Sequence, residues 1–208
     1  IGKIACSSNY YILKKKTFIT NEHSRKISHL LRYQNQGILT SYTTINDDNP
    51  KLTCRINGLK KFSPTKIILD RDLKININSH AIKHKTKLNT IIFHNSKKNK
   101  KISFLKKKGI KLIFFNVESD NYFDLKKILK KIYSLGIHSL LIECGKKLIT
   151  KFLSNNLINE FYLFKSSKII KNKGKINVLN IKVKLNINFK HKNFVNTYLD
   201  KDTLMHYY

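Results

Sequence analysis

GILTSYTTINDDNPKLTCR, residues 37–55, is the stretch whose reading decides the fold. It opens on Gly37-Ile38-Leu39, an apolar run that reads as the end of a buried strand. It turns at once to small polar residues, Thr40, Ser41, Thr43 and Thr44. An acidic turn follows, Asp47-Asp48-Asn49-Pro50, and then Leu52, Thr53 and Arg55. Open α/β sheets bind ligands where a strand runs into a hydroxyl- and amide-rich loop, just past the carboxyl ends of the strands. Hydroxyls and loop N–H groups there hold phosphate or ribose oxygens, and an arginine clamps a phosphate. The plain alternative is a turn in which Asp and Asn bond their own backbone.

The same organisation extends outward. Residues 66–70 (KIILD), 88–94 and 110–117 repeat the buried parallel-strand pattern, with a short helix expected over 102–108. Upstream, residues 1–6 read as the end of a strand and 7–16 as a loop. Thr20 or Asn21 then caps a helix to about residue 34, with Glu22 in its first turn. Residues 124–135 carry Leu125, Ile128, Leu129, Ile132 and Leu135 at helical spacing and stop at Gly136. HSLLIE, residues 138–143, is the next buried strand, followed by Cys144-Gly145 and a helix to about residue 153. Strands alternating with helices predict an α/β fold with a mostly parallel central sheet. From residue 160 on, segments 161–164, 178–189 and 194–199 read as antiparallel edge strands, and 181–189 alternates apolar with polar residues. No internal repeat or domain-scale linker interrupts the chain, so a single domain over residues 1–208 is expected.

A second candidate site is Glu143-Cys144-Gly145. A carboxylate at the end of an apolar strand orients a sugar hydroxyl or amine, and the glycine lets a phosphate approach the helix that follows. The alternative is a glutamate that caps that helix.

Composition constrains the partners. The 42 Lys and Arg against 12 Asp and Glu leave a formal charge of +30, which ordinarily suggests nucleic acid or an anionic surface. Here the lysines are spread through nearly every segment, alongside many Asn and Ile, as codon bias would produce, so no specific nucleic-acid partner is expected. The densest run, from Lys97 to Lys108, reads as a solvated helix face. Cys6, Cys54 and Cys144 lie far apart without a C-x-x-C pair, which fits a reducing, cytoplasmic setting. No segment approaches the roughly 18–20 apolar residues of a membrane span. The histidines show neither H-x-E nor P-C-x-x-C, so the zinc deaminase signature is absent and no metal is expected.

In order and spacing, T-x-x-x-D-x-P-x-L-T-x-R (Thr44 to Arg55) resembles the reductase domain of riboflavin biosynthesis, usually the C-terminal half of a bifunctional deaminase–reductase. Gly2-Lys3-Ile4-Ala5, Phe18-Ile19-Thr20, Arg25 with Leu30-Leu31-Arg32, Gly37-Ile38-Leu39, Ile68-Leu69-Asp70 and residues 139–148 extend the likeness to about residue 170. The resemblance implies a dihydrofolate-reductase-like fold, a homodimer and an upstream zinc deaminase domain in the full protein. It implies NADPH as cofactor and a phosphorylated pyrimidine as substrate, with the ribosyl group of 5-amino-6-(5-phosphoribosylamino)uracil reduced to ribityl. Carried over residue by residue, Arg32, Leu52, Arg55 and Glu143 match substrate positions, with Glu143 the candidate for orienting the sugar or handling a proton. Thr44, Asp48 and Gly145, with Lys146, Lys147 and Leu148 at the start of the next helix, match cofactor positions. Several positions depart from the pattern. Lys16 stands where the family has a substrate-touching Ser, Phe18 replaces a cofactor-flanking Trp, and Lys146 replaces a Pro. Arg71 occupies the place of a cofactor-contacting Ser, where it suits the 2′-phosphate of NADPH. Ile1 replaces the motif's Asp, and the strand before it is missing, so the chain reads as a piece of a longer protein. The rival readings are a degenerate reductase fold without turnover and a basic nucleic-acid-binding protein.

Overall fold

The computed structural model describes residues 1–13, 18–83, 90–171 and 175–208. In chain order these form β1 (Gly2–Cys6), β2 (Tyr11–Leu13), α1 (Glu22–Gln34), β3 (Gly37–Ser41), α2 (Tyr42–Asp48), β4 (Thr65–Leu69), α3 (His80–Lys83), β5 (Thr90–His94), α4 (Asn99–Lys107) and β6 (Lys111–Phe114). They continue with α5 (Leu125–Ser134), β7 (Leu140–Ile142), α6 (Lys146–Ser154), β8 (Phe161–Lys165), β9 (Lys175–Asn177), α7 (Leu179–Asn188), β10 (Lys192–Phe194) and β11 (Thr203–Tyr207). This is the α/β class with a mostly parallel sheet that the alternation predicts. The contacts divide the chain into two compact units, Arg32–Leu140 and the combination of Ile1–Leu31 with Leu141–Tyr208.

In the Arg32–Leu140 unit the strand order is β3-β4-β5-β6, all parallel. Ile38, Leu39, Ile67, Ile68, Ile91, Ile92 and Phe93 are buried, as strands covered on both faces require. Gly37 opens β3 because nothing larger fits: a Cβ there would lie 2.8 Å from Ile137 Cγ2 and 2.9 Å from Leu140 Cδ1. The expected turn signals work where helices begin and end. Asp124 accepts N–H bonds from Lys126 and Lys127 at the start of α5, and Gly136 takes φ +82° just past its end.

In the other unit the order is β10-β11-β8-β1-β7. β1 runs parallel to both β7 and β8, while β10 and β11 are antiparallel. Asn21 Oδ1 accepts the Ser24 N–H (3.0 Å) as the expected cap of α1. Asp202 reinforces that cap from a distant part of the chain, accepting from Asn21 N (2.8 Å) and Ser24 Oγ (2.7 Å).

Four expectations are corrected. The polar residues after β3 do not form a loop; they form the short helix α2, because the Ser41 hydroxyl accepts the Thr44 N–H and starts it. Residues 7–16 are not all loop, since Tyr11–Leu13 pairs with β9. β8 is antiparallel to β11 as expected but is not an edge strand, since it also runs parallel to β1, and the antiparallel edge lies farther on, in β10 and β11. Most plainly, residues 178–189 are not a strand but contain the helix α7. Its alternating apolar residues include an i, i+4 pair, Ile181 and Leu185, and these alone are buried, whereas Val183 is 51% and Ile187 75% exposed. A two-residue period contains the four-residue spacing of a helix face, so the pattern fits both structures.

That distinction is measurable. In a strand, Leu185 and Ile187 would share one face and cost alike on truncation. In α7, Leu185→Ala is expected to destabilise the protein by about 2–5 kcal/mol. Ile187→Ala should stay within about 0.5 kcal/mol of the parent. Denaturant midpoints of the two variants check this.

Candidate active site

The residues assigned by resemblance fall on both compact units. In the Arg32–Leu140 unit, parallel pairing brings the carboxyl ends of β3, β4 and β5 to one rim, and the segments after these strands carry the polar residues. Thr44 lies in the first turn of α2, its hydroxyl 3.2 Å from the capping Ser41 Oγ. Asp48 ends the same helix. Partial burial of its carboxyl, and then the neighbouring Asp47 charge, raise its pKa although the residue as a whole is exposed.

The turn after α2 contains two residues in the left-handed region, Asn49 (φ 43°) and Leu52 (φ 54°). For leucine that conformation costs on the order of 1–2 kcal/mol. It is held here because the Leu52 side chain is buried and the buried Arg32 on α1 donates from Nη1 to the Thr53 carbonyl (3.3 Å). The next residues are tied down as well: Cys54 N–H donates to Ser63 Oγ (3.0 Å), and Arg55 follows, exposed. Thus the motif's Leu and Arg32 shape the turn that presents Arg55.

After β4 the chain is held by Asp70. This fully buried carboxylate accepts N–H bonds from Lys74 and Ile75, both at 2.7 Å. Burial raises its pKa, and those two bonds oppose the shift. Arg71 next to it is engaged: Nε and Nη2 donate to the two Asp72 oxygens (2.9 and 3.0 Å), and Nη1 donates to the Asn121 carbonyl (2.6 Å). The hydrogen bond from Arg71 holds the Asp72 carboxyl down at about 2.

In the other unit Glu143 sits just past β7. Its Oε1 lies 3.3 Å from the ammonium of Lys3 on β1, with both side chains largely buried. Lys3 Nζ also lies 5.4 Å from the centre of the Phe164 ring. The resemblance assigns Lys3 no role; the signal for one is a single charge inside the otherwise apolar strand GKIAC. Two residues after Glu143, Gly145 begins α6 with no side-chain cap. The first N–H groups of α6, those of Lys146, Lys147 and Leu148, therefore have no intrahelical acceptor and are an anion receptor by geometry and dipole. The arrangement sets a carboxylate suited to a hydroxyl or amine beside a helix start suited to a phosphate. Cys144 between them is buried, and burial together with the Glu143 charge pushes its thiol far up, so it is not a nucleophile at neutral pH. Phe18 is exposed, with the Arg25 guanidinium 4.5 Å above its ring. Lys16 lies outside the described residues.

Comparison with known proteins agrees with the sequence reading. A riboflavin biosynthesis protein RibD of Aquifex aeolicus is 31% identical over 153 residues, covering 74% of this chain and 41% of that protein. A 2,5-diamino-6-ribosylamino-4(3H)-pyrimidinone 5′-phosphate reductase of the same organism is 25% identical, covering 72% of this chain and 65% of its own. The first curated relatives that the chain matches are therefore more than twice its matched span, with 41%, 43% and 45% of their lengths covered. Among solved structures, the diaminohydroxyphosphoribosylaminopyrimidine deaminase/5-amino-6-(5-phosphoribosylamino)uracil reductase of Thermotoga maritima shares the fold. It gives a TM-score of 0.70 at 21% identity over 99% of this chain and 54% of that one. The chain belongs to the RibD C-terminal domain family, which it matches over residues 12–195.

Proposed function

We propose that this chain is the NADPH-dependent reductase unit that converts the ribosyl group of 5-amino-6-(5-phosphoribosylamino)uracil to ribityl in riboflavin biosynthesis. The observation that carries the reading is Glu143, held by Lys3 at the end of a buried strand, two residues ahead of an uncapped helix start. Family membership and the name of the Thermotoga relative support it.

NADPH, when bound, supplies a hydride to C1′ of the opened sugar, present as an imine. The residues of the chain bind and orient. Arg55 suits the substrate 5′-phosphate, supported by the turn that Arg32 and Leu52 shape. Glu143 accepts from a sugar hydroxyl or, once protonated, gives the imine nitrogen its proton, and Lys3 holds the Glu143 Oε1 in place. The N–H groups of Lys146, Lys147 and Leu148 suit a cofactor phosphate, Thr44 and Asp48 suit cofactor hydroxyls and amides, and Phe18 offers an exposed ring to flank it. The reaction needs alignment of two carbons more than it needs a strong acid, so positioning is the main contribution of the protein. The same reading expects a homodimer, a deaminase half in the full-length protein and a cytoplasmic setting.

NADPH oxidation followed at 340 nm with the phosphoribosylaminouracil tests the reading; no substrate-dependent oxidation would refute it. Removing a charge-assisted phosphate contact costs about 1.5–3 kcal/mol. Arg55→Ala should therefore raise KM about 10- to 100-fold. Glu143→Ala should lower kcat, and an unchanged rate in both variants would discard the site. Lys3→Met is a sharper probe. Without the ammonium, the Glu143 carboxylate loses the contact that fixes its Oε1. kcat should then fall towards that of Glu143→Ala with little change in KM, whereas a merely structural role for Lys3 would lower the melting temperature and leave kcat in place.

A further inference from the structure

The helix α7 is apolar on two sides. At about 100° per residue, Ile181 and Leu185 share one side, and Leu179, Val183 and Ile187 lie about 180° away from them. The first pair is buried, whereas Leu179 is 46%, Val183 51% and Ile187 75% exposed. A helix that packs on its own chain needs one apolar side, and α7 carries a second.

The residues that border this outer row are uncharged. Asn180 and Asn186 flank it, about 60° to either side, and both are exposed. Lys182 and Lys184 stand about 100° away and are half-buried. The exposed residues of α7 therefore carry no charge, in a chain of formal charge +30. By contrast, α5 exposes Lys126, Lys127, Lys130 and Lys131. Phe194 widens the apolar surface. On β10 it alternates with Lys192, whose ammonium reaches Asn186 Oδ1 (3.2 Å), so Phe194 lies on the α7 side of the sheet, 69% exposed.

The order of residues says which partner fits. Outward from Val183 the row reads alike in both directions, with an asparagine three positions away (Asn180, Asn186) and an aliphatic residue four away (Leu179, Ile187). A two-fold axis at Val183 lays α7 antiparallel on α7 of a second copy. Val183 then meets Val183, Leu179 meets Ile187, and Asn180 stands beside Asn186. An amide both donates and accepts, so it pairs with another amide. Without charge in the row, two copies of a strongly basic chain meet there with no like charges opposed. An acidic partner would call for lysines in the row, which holds none. We propose that the outer face of α7 is a two-fold contact between two copies of this chain. Such self-complementarity is what an isologous interface requires. The inference rests on the reading above only in that it names a surface for the dimer expected there.

Analytical ultracentrifugation over a dilution series tests it. Val183→Lys sets two ammonium groups face to face and should raise the dimer dissociation constant at least about 100-fold. The position is exposed, so the fold should persist, and circular dichroism verifies that. Ile187→Ala, which spares folding of the dilute chain, should also weaken the dimer. Cysteine cross-linking tests the register, since the native Cys6, Cys54 and Cys144 are buried. With diamide, Val183→Cys should cross-link to its copy. Ile187→Cys should not, because its two copies lie about 12 Å apart along antiparallel axes, beyond the reach of a disulfide.

The proposal is overturned if the protein is monomeric at every concentration, if Val183→Lys keeps the parent dissociation constant, or if Ile187→Cys cross-links as readily as Val183→Cys. A monomer that floats with phosphatidylglycerol vesicles would also overturn it and give the face to a lipid surface. Dimerisation through Val183 without pyrimidine-dependent NADPH oxidation would keep the contact and remove the reductase reading. Turnover by a dimer indifferent to Val183→Lys would do the reverse.

Discussion

Parallel pairing of β3, β4 and β5 is the constraint from which the Arg32–Leu140 unit follows. Leu39 pairs with Ile67, Ile67 with Ile91, and every side chain of β5 is buried, so a one-residue slip would change which side chains meet each layer of the core. With the register set, the three strands end together. Thr44 and Asp48 follow β3, Asp70 and Arg71 follow β4, and Ser96 and Lys97 follow β5. Polar groups gather at that rim because backbone leaving a buried parallel strand must find hydrogen-bond partners within a few residues.

Scarcity of acid is the second theme. With 12 carboxylate residues among 42 Lys and Arg, an acidic side chain is uncommon, and several of those described sit where two parts of the backbone must be joined. Asp202 ties the C-terminal segment to the start of α1, Asp124 starts α5, and Asp70 holds the chain after β4 through two N–H bonds. Asp72 neutralises Arg71, and Glu143 is matched by Lys3. The lysines outnumber these partners, and most remain solvated.

How much could be read in advance depended on whether the deciding interaction was local. The cap at Asn21, the stripe and stop of α5, the buried runs of β3 to β5 and the helix after Gly145 are each determined by neighbours within about four residues, and each appears as expected. In residues 37–55 the strand is legible and α2 is not, because a short polar helix carries no apolar stripe and depends on one hydroxyl, Ser41 Oγ. Residues 178–189 misled for a different reason. Their alternation satisfies strand and helix alike, and only burial of Ile181 and Leu185, with Val183 and Ile187 left outside, chooses the helix.

The sequence by itself determined the α/β class, the order of most elements and the family, since these rest on periodicity, capping residues and motif spacing along one chain. Tertiary structure alone decided which charges meet. Lys3 and Glu143 are 140 residues apart, and Arg71 is as close to Asn121 as to its neighbour Asp72. No local pattern encodes such pairs, because what brings them together is the register of strands whose sequences are nearly interchangeable apolar runs.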